Sequence, residues 1–360
     1  MLRIIKRLRN YMQYCDAMEL TKEDNQMAKG LAIIGMVVLH LFCRLGELPY
    51  SPLIYIGETP LIYYIGLFGD LCVPIYCFCS GYAHYLLMQK YDEKYFHVMK
   101  RKIGSFLKNY WVVLILFTFL GLLFDKTNTI PESLGTFLGN FFLVKMNYNG
   151  AWWFVLTYII LTLISPIIIK IVNRIDIMLL VVISGGIYFI CYIFRFAYCL
   201  PISSTPFSWL WNQTILVGTS QFAYIVGMLF RKENVITYLK KRMSDLEKFR
   251  KIIILVFPMV LFCFHCVIQS TIVAPITGLG TLICFYLWNK PKWIEKTFLF
   301  LGKHSTNIWL IHMFFYARLF TNFVFVVKYP ILIFVLMMSV CIGVSYIIQK
   351  CMLLSDKICF

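Results

Sequence analysis

Long apolar runs constrain the fold of this chain more than any other feature. A helix needs roughly 20 apolar residues to cross the hydrocarbon core of a membrane. Hydrophobic residues make up 60% of the 360, and only 14% are charged, so most of the chain has no polar face to offer water. The pattern predicts an all-α polytopic membrane protein with about ten transmembrane helices. The ten candidate runs are residues 27–45, 60–88, 107–125, 151–171, 177–198, 213–230, 251–269, 270–289, 298–322 and 330–350.

The distribution of lysine and arginine orients these predicted helices, because positive residues are enriched in cytoplasmic loops. With the N-terminus placed inside, 28 of the 34 Lys and Arg residues lie on the cytoplasmic side and six lie on the outer side. This division predicts that both termini are cytoplasmic. The few cations left on the outer side are Arg44, Lys126, Lys145, Arg195, Arg318 and Lys328.

The simplest domain organisation is one transmembrane domain over residues 1–360. Residues 1–26 are then a cytoplasmic N-terminal segment, and residues 231–251 a basic cytoplasmic loop. The first apolar run follows a polar lead, so it is not predicted to be a cleavable signal peptide. The stretch from Phe137 to Val144 is too short to span and is expected to form an interfacial helix.

Charge and cysteine usage exclude other classes. The net charge of +17 is spread over the loops, whereas nucleic-acid binding calls for a basic patch on a folded surface. The 13 cysteines lie mostly inside apolar runs, and no CxxC pair is accompanied by histidine at zinc spacing. We therefore read them as small hydrophobic side chains, expect no metal and no nucleic acid, and expect membrane lipid as the surrounding partner.

Two histidines lie inside apolar runs, each preceded by a lysine. Lys29 and His40 are 11 residues apart, which places them nearly on one helix face with His40 about 16 Å deeper. Lys303 and His312 repeat this arrangement, with His312 about 13 Å deeper. Ionisable groups inside a membrane are costly and point to function, and histidine works as a general acid or base near neutral pH. The pattern suggests a reaction chamber reached from the cytoplasm.

Structural readings of these residues remain open. An intramembrane histidine often serves as a hydrogen-bond partner between helices, and lysines near helix ends extend to the interface. Asp70, also within an apolar run, is expected either to pair with a histidine or to line a wet cavity. The remaining histidines are interpreted as structural: His84, His97, His265 and His304.

Small and aromatic residues mark two further positions. Ser80 and Gly81 would let a ligand or a neighbouring helix approach closely, but no Gly-x-Ser-x-Gly elbow surrounds Ser80. Trp152 and Trp153 belong either to an aromatic belt at the interface or to a stacking surface for a sugar. The loop containing Lys90, Lys94, Lys100, Arg101, Lys102 and Lys108 fits either anionic-lipid contact or a ligand with several phosphates.

Several motifs in order resemble the acyltransferase-3 family of membrane-bound O-acyltransferases. The stretch "DNQMAKGLAIIGMVVLH" resembles the family's Arg or Lys, ten residues, then His, at Lys29 and His40. The stretch "PIYCFCSGY" resembles its Ser-Gly motif, and "GAWWFVLTYIILTLISP" its Trp-Phe-Leu block. The stretch "FAYIVGMLF" resembles its Phe-x-x-Gly block, and "FLGKHSTNIWLIH" resembles its Gly-Lys-x-Ser…His block. The likeness covers roughly residues 24–320. It departs at the Arg-x-x-Arg of the inner loop, where Lys102 and Ser105 stand.

The resemblance implies transfer of an acyl group, usually acetyl, from cytoplasmic acyl-CoA to a hydroxyl of a cell-surface polysaccharide or lipid-linked glycan. It implies an integral, multi-pass protein of a bacterial plasma membrane. We assign His40 as general base or transient acyl carrier, with His312 or Ser80 orienting or donating. The acyl-CoA phosphates are assigned to Lys29, Arg101, Lys102, Lys108 and Lys303. Trp152, Trp153 and Asp70 are assigned to the acceptor.

A transporter or flippase of glycans or lipid-linked intermediates is the alternative. Polar groups in apolar runs and about ten spans suit it equally. Transporters often show repeated halves with helices broken at matching positions, and no such halves are evident in this sequence.

Overall fold

The computed structural model describes residues 19–46, 48–125, 127–196, 206–244 and 246–358, with side chains described as far as residue 354. Its helices follow the apolar runs. In chain order they are α1 (Lys22–Phe42), α2 (Leu61–Phe68), α3 (Cys72–Tyr91), α4 (Tyr95–Phe124), α5 (Leu134–Phe141), α6 (Trp153–Arg174), α7 (Ile177–Phe196), α8 (Pro206–Lys232), α9 (Val235–Ser244), α10 (Glu247–Val267), α11 (Ala274–Leu287), α12 (Lys292–Met313), α13 (Thr321–Phe325) and α14 (Pro330–Ile358).

The all-helical, membrane-type architecture predicted from the sequence is confirmed. Within the described ranges the strands are limited to a two-residue hairpin, β1 (Tyr55–Ile56) and β2 (Thr59–Pro60), paired antiparallel with Tyr55 opposite Pro60. Seven helical stretches among the described residues are long and apolar enough to cross a membrane. The count of ten and the cytoplasmic location of both termini stay predictions.

The longest apolar stretch explains part of the difference between seven and ten. Leu61–Phe124 is continuous over 64 residues, yet a straight helix of that length would reach about 96 Å, roughly three times the hydrocarbon thickness. The structure breaks it at the 3₁₀ turn Gly69–Leu71 and again at Asp92, whose φ is 39°. Helices α3 and α4 then contact each other, so this stretch holds more than one pass.

Glycines set the closest helix crossings. A Cβ on Gly302 of α12 would collide with the carbonyl oxygen of Gln26 in α1, and a Cβ on Gly81 of α3 would collide with that of Tyr224 in α8. Two backbones approach this closely only where the side chain is absent. The Ser-Gly pair of α3 therefore serves a helix contact through Gly81.

Helix α1 is fixed at its start and antiparallel to α3. The Thr21 side chain accepts from the amide of Asp24 while the Asp24 carboxylate accepts from the amide of Thr21, a capping box. The Asn25 side chain donates to the carbonyl of Cys79 at 3.2 Å, and Gly35 packs on Gly69. Residue numbers thus rise along α1 as they fall along α3, which brings the His40 end of α1 beside Asp70.

Two sequence-predicted connecting segments are helical. The basic stretch 231–251 contains α9, which buries Ile236 and exposes Tyr238. The stretch predicted as an interfacial helix, residues 137–144, overlaps α5, which begins three residues earlier because Ser133 caps its start by accepting from the amide of Thr136, and which ends at Phe141. Leu134 and Phe142 at its ends are exposed, which leaves an apolar surface there.

Candidate active site

A cavity of about 330 Å³ lies among α1, α3, α4, α6, α7, α8, α11 and α12. Lys29, Ser80 and Thr306 line what we call its lysine end, and His40 and Asp70 line it further along. The opposite part, the arginine end, is lined by Trp153, Tyr188, Tyr192, Arg195 and Phe196. Lys29 and His40, which the sequence predicted to share one face of α1, thus line the same cavity.

His40 is half-buried at the cavity wall and packs against His312. Their ring centroids are 4.9 Å apart, although the two residues lie 272 positions apart in the chain. His312 itself is completely buried and does not line the cavity. His40 therefore faces the cavity, and His312 packs against the side of the His40 ring that is turned away from the cavity.

One hydrogen bond defines which ring nitrogen of His312 carries the hydrogen. Its Nδ1 lies 2.8 Å from the carbonyl oxygen of Trp309, and a carbonyl only accepts, so Nδ1 carries the hydrogen. In the neutral ring the lone pair is then on Nε2, which has no partner among the described residues. His312 is thus oriented by its own helix and presents a buried acceptor.

Tyr316 is a site residue that the sequence reasoning missed. Its hydroxyl lies 3.3 Å from Nδ1 of His40, and its ring stacks on His312 with centroids 5.9 Å apart. Tyr316 lies in a π-helical turn, Phe314–Arg318, at the end of α12, and such turns are frequent at functional sites. The spacing from His312, four residues along one helix, is the signal that would have pointed to it.

Asp70 pairs with His265 of α10. Asp70 Oδ2 and His265 Nε2 are 2.9 Å apart, and both side chains are almost wholly buried. Asp70 lies in the 3₁₀ turn between α2 and α3, where the helix is interrupted. Its Oδ1 has no partner among the described residues, and Asp70 lines the cavity. Both sequence readings of Asp70, a histidine partner and a cavity wall, describe its position.

The comparison with known protein families bears on what this cavity does. A family model described as an acyltransferase domain matches residues 26–350. The chain belongs to the acyltransferase-3 family. No match is found among curated proteins or among solved structures. With its apolar helices, the protein is a membrane acyltransferase, and the matched region includes every cavity residue named above.

Basic residues gather at the lysine end of this acyltransferase. Lys22, Lys29 and Arg101 all lie close enough to Lys102 for their charges to act on it. Arg101 and Lys102 are exposed near the start of α4, so a ligand in solution can reach these two charges. Lys303 is exposed on α12 and Lys108 is half-buried on α4; neither lines the cavity.

The other predicted site residues of the acyltransferase fall in different environments. Ser80 lines the lysine end, but its hydroxyl donates to the carbonyl of Tyr76 at 2.8 Å. Trp153 lines the arginine end. Trp152 is fully buried, donates to the carbonyl of Leu310 and packs on Tyr110; it lies in the helix-packed core instead of the cavity wall.

Of the four histidines interpreted as structural, His84 and His304 make hydrogen bonds inside the protein, and His265 pairs with Asp70 as described above. His84 hydrogen-bonds the hydroxyl of Tyr224, and His304 that of Ser345, whereas His97 is exposed. Within the described ranges, no group of three or more His, Cys, Asp or Glu side chains is placed to hold a metal ion.

Asp125, just beyond the apolar stretch, organises the turn after α4. Burial acts to raise the pKa of its carboxyl group, but hydrogen bonds from Thr127, Ile130 and Thr129 outweigh it and lower the pKa to about 2. This carboxylate therefore holds a loop and takes no part in the cavity.

Proposed function

We propose that this acyltransferase moves an acyl group, most simply acetyl, from acyl-CoA to a hydroxyl of a cell-surface polysaccharide or lipid-linked glycan, at the plasma membrane of a bacterium. The observation that carries the proposal is that Lys29 and His40 line one cavity, three turns apart on α1. A cation at the lysine end suits the phosphates of CoA, and an imidazole further along suits the reacting carbonyl.

The donor fits the lysine end. The CoA moiety carries several phosphates, and Lys22, Lys29, Arg101 and Lys102 form a basic group at this end. The thioester hangs on the long, flexible pantetheine arm. With the phosphates near Lys29, the cavity offers that arm a path of about 16 Å toward His40. Its wall there is mainly apolar, including Met36, Leu39 and Val73.

The chemistry at His40 is proton transfer coupled to acyl transfer. The acceptor hydroxyl oxygen attacks the thioester carbonyl carbon, and the imidazole of His40 takes the hydroxyl proton. The carbon–sulfur bond then breaks, and the same proton passes to the CoA sulfur. The products are an ester and free CoA thiol. In the alternative route, Nε2 of His40 attacks the thioester carbonyl carbon, and CoA leaves as the thiol with the proton that the imidazole gives up. The acceptor hydroxyl then attacks the acyl-imidazole, its proton returns to the ring, and the ester leaves.

The surroundings of His40 suit a base better than a helix-packing residue. Its Nδ1 faces the Tyr316 hydroxyl, which can accept the Nδ1 hydrogen and so leave the lone pair on Nε2. His312 packs against the same ring. Two neighbours thus orient an imidazole that lines a cavity.

Acyl transfer by purified protein tests the proposal. Detergent-extracted, monodisperse protein is incubated with radiolabelled acetyl-CoA and membrane glycan extract, and ester formation and free thiol are measured together. His40→Ala should abolish most transfer, whereas His97→Ala, which changes an exposed histidine, should not. Equal transfer by the wild-type protein and His40→Ala would contradict the proposal.

A further inference from the structure

Arg195 is a cation of the cavity wall. It stands near the C-terminal end of α7, where an arginine in a membrane helix would ordinarily extend toward the interface. Instead its guanidinium lies 4.4 Å from the ring centroid of Trp153, and its Nη1 donates to the Thr219 hydroxyl at 3.3 Å. Three helices, α6, α7 and α8, thus hold one guanidinium at the cavity.

The register of α7 against α8 shows which way this side chain points. Ser184 donates to Gln221 at 2.7 Å, and Gly218 packs on Cys191, so the helices are antiparallel. On that register the backbone of Arg195 is level with the region near Trp211. Thr219 is roughly one to two turns further along α8, toward the cavity interior. The arginine is therefore folded back into the protein.

Aromatic hydroxyls brace the arginine end. Tyr188 and Tyr192 precede Arg195 by seven and three residues, on one face of α7. The Tyr188 hydroxyl donates to the carbonyl of Ile272 at 3.0 Å, and that of Tyr192 pairs with Ser270 at 2.8 Å. These bonds fix α7 to the turn before α11. The part of α7 that carries the guanidinium is thus held by the turn before α11 as well as by α6 and α8.

The side chains of the arginine end favour binding of an anion. A guanidinium that stacks through its face directs its N–H groups outward from its edge, in a fork that matches carboxylate or phosphate. The aromatic rings of Trp153, Tyr188 and Phe196 supply flat apolar surface beside it. An anionic group attached to a ring-shaped, partly apolar molecule fits both features.

We infer that the arginine end is the acceptor site and that it takes a glycan whose sugar carries a carboxylate or a phosphate, with Arg195 binding the anion. This inference rests on the proposed function, because acyl-CoA is assigned to the lysine end and the two substrates must meet at His40. The acceptor then approaches along the remaining part of the cavity, past Asp70. Arg195 selects the charge class of the sugar and takes no part in bond making.

Binding of small sugars tests this inference without requiring turnover. The probes are methyl glucuronoside for a carboxylate, glucose 6-phosphate for a phosphate, and methyl glucoside as the neutral match, titrated calorimetrically into monodisperse protein. Wild-type protein should bind at least one anionic probe about tenfold or more tightly than the neutral one. Whichever anionic probe binds identifies the group. Equal affinities, or no binding of either anionic probe, would overturn the inference.

Matched variants locate the effect. Arg195→Gln should remove the preference for the anionic probe, and Arg195→Lys should keep part of it, because a lysine retains charge without the fork. Arg318→Gln, which changes an arginine that donates to the carbonyl of Asn147, should leave it intact. If Arg195→Gln does not fold, Arg195→Lys and Thr219→Val carry the test. If both Arg195→Lys and Thr219→Val, each as a single variant, keep the full preference for the anionic probe, the inference is rejected.

Failure of the inference is distinguishable from failure of the proposed function. His40→Ala should bind the anionic probe as the wild type does, since binding needs no proton transfer. Arg195→Lys should leave the KM for acyl-CoA unchanged. If the protein transfers acetyl through His40 but shows no preference for the anionic probe, the proposed function stands and the inference of an anionic acceptor is rejected. A rise in the KM for acyl-CoA in Arg195→Lys would instead move the donor to the arginine end and refute the inference.

Discussion

The hydroxyl of Tyr316 lies 3.3 Å from Nδ1 of His40, although 276 residues separate them in the chain. A neutral imidazole has one hydrogen on its two nitrogens. When the tyrosine oxygen accepts that hydrogen from Nδ1, the lone pair is on Nε2. We therefore expect Tyr316 to act as a positioning residue, accepting from Nδ1 and so holding the His40 lone pair on Nε2.

Replacing Tyr316 with phenylalanine removes only this hydrogen bond and keeps the ring that stacks on His312. We expect kcat to fall about threefold to tenfold, the value of one hydrogen bond, with the KM of either substrate unchanged. Nitrogen NMR of the His40 ring should show loss of the preference for the Nδ1-protonated form. Tyr346→Phe, at an exposed ring near His304, is the control. A normal kcat would remove Tyr316 from the site.

Glutamine at position 40 separates catalysis from packing. Glutamine keeps hydrogen bonding but takes no proton at neutral pH, so His40→Gln should lose about 10²- to 10⁴-fold in transfer, nearly as much as His40→Ala. A packing histidine would behave differently, because glutamine would largely restore it and alanine would lower the yield of folded protein. The measurement is transfer per milligram of monodisperse protein.

The basic group at the lysine end should govern the donor. Lys29→Ala and Lys102→Ala are expected to raise the KM for acyl-CoA about tenfold with little change in kcat, because a phosphate contact remote from the carbonyl acts equally on ground and transition states. Lys29→Arg should be tolerated. Lys145→Ala, an exposed lysine on the connector after α5, is the matched control. A loss confined to kcat would mean that these residues do not bind phosphates.

Gly302 should resist any side chain. An alanine Cβ there would collide with the carbonyl of Gln26, so α1 and α12 would have to separate, at about 1–3 kcal/mol. Gly104→Ala is the matched control, because its Cβ meets nothing within 4 Å, and it should be neutral or stabilise by up to about 1 kcal/mol. Thermal unfolding in detergent compares the two. Equal melting temperatures would disprove the close crossing.

The Asp125 turn should weaken in acid. A carboxyl whose pKa is lowered from 3.8 to about 2 in the folded state contributes stability that is fully present above pH 3.8. That contribution is lost as the pH falls through 3.8 toward 2. Asp125→Asn should therefore melt below the wild type at pH 6, and most of this gap should close as the pH falls to 2. Glu58→Gln, at an exposed position, should show no such convergence; a gap that persists at pH 2 would contradict the assignment.

The sequence predicted the helical elements well, for a physical reason. A backbone inside lipid must satisfy its own hydrogen bonds, so an apolar run of sufficient length can only be a helix. The short α5 and the relation of Lys29 to His40 follow from length and the 3.6-residue period alone. The number of crossings is harder, since a run such as Leu61–Phe124 holds breaks at Gly69 and Asp92 that composition barely marks.

Contacts between distant helices were decided by the tertiary structure. Within one helix, periodicity tells which residues share a face, and it predicts that Lys29 and His40 do. It says nothing of rotation between helices, which close packing at glycines such as Gly81 and Gly302 determines. The packing of His312 against His40, the Tyr316 hydroxyl at the His40 ring and the inward turn of Arg195 depend on that rotation. The sequence alone thus determined a membrane bundle with a lysine and a histidine on one helix face, and only the packing of helices decided which side chains surround them.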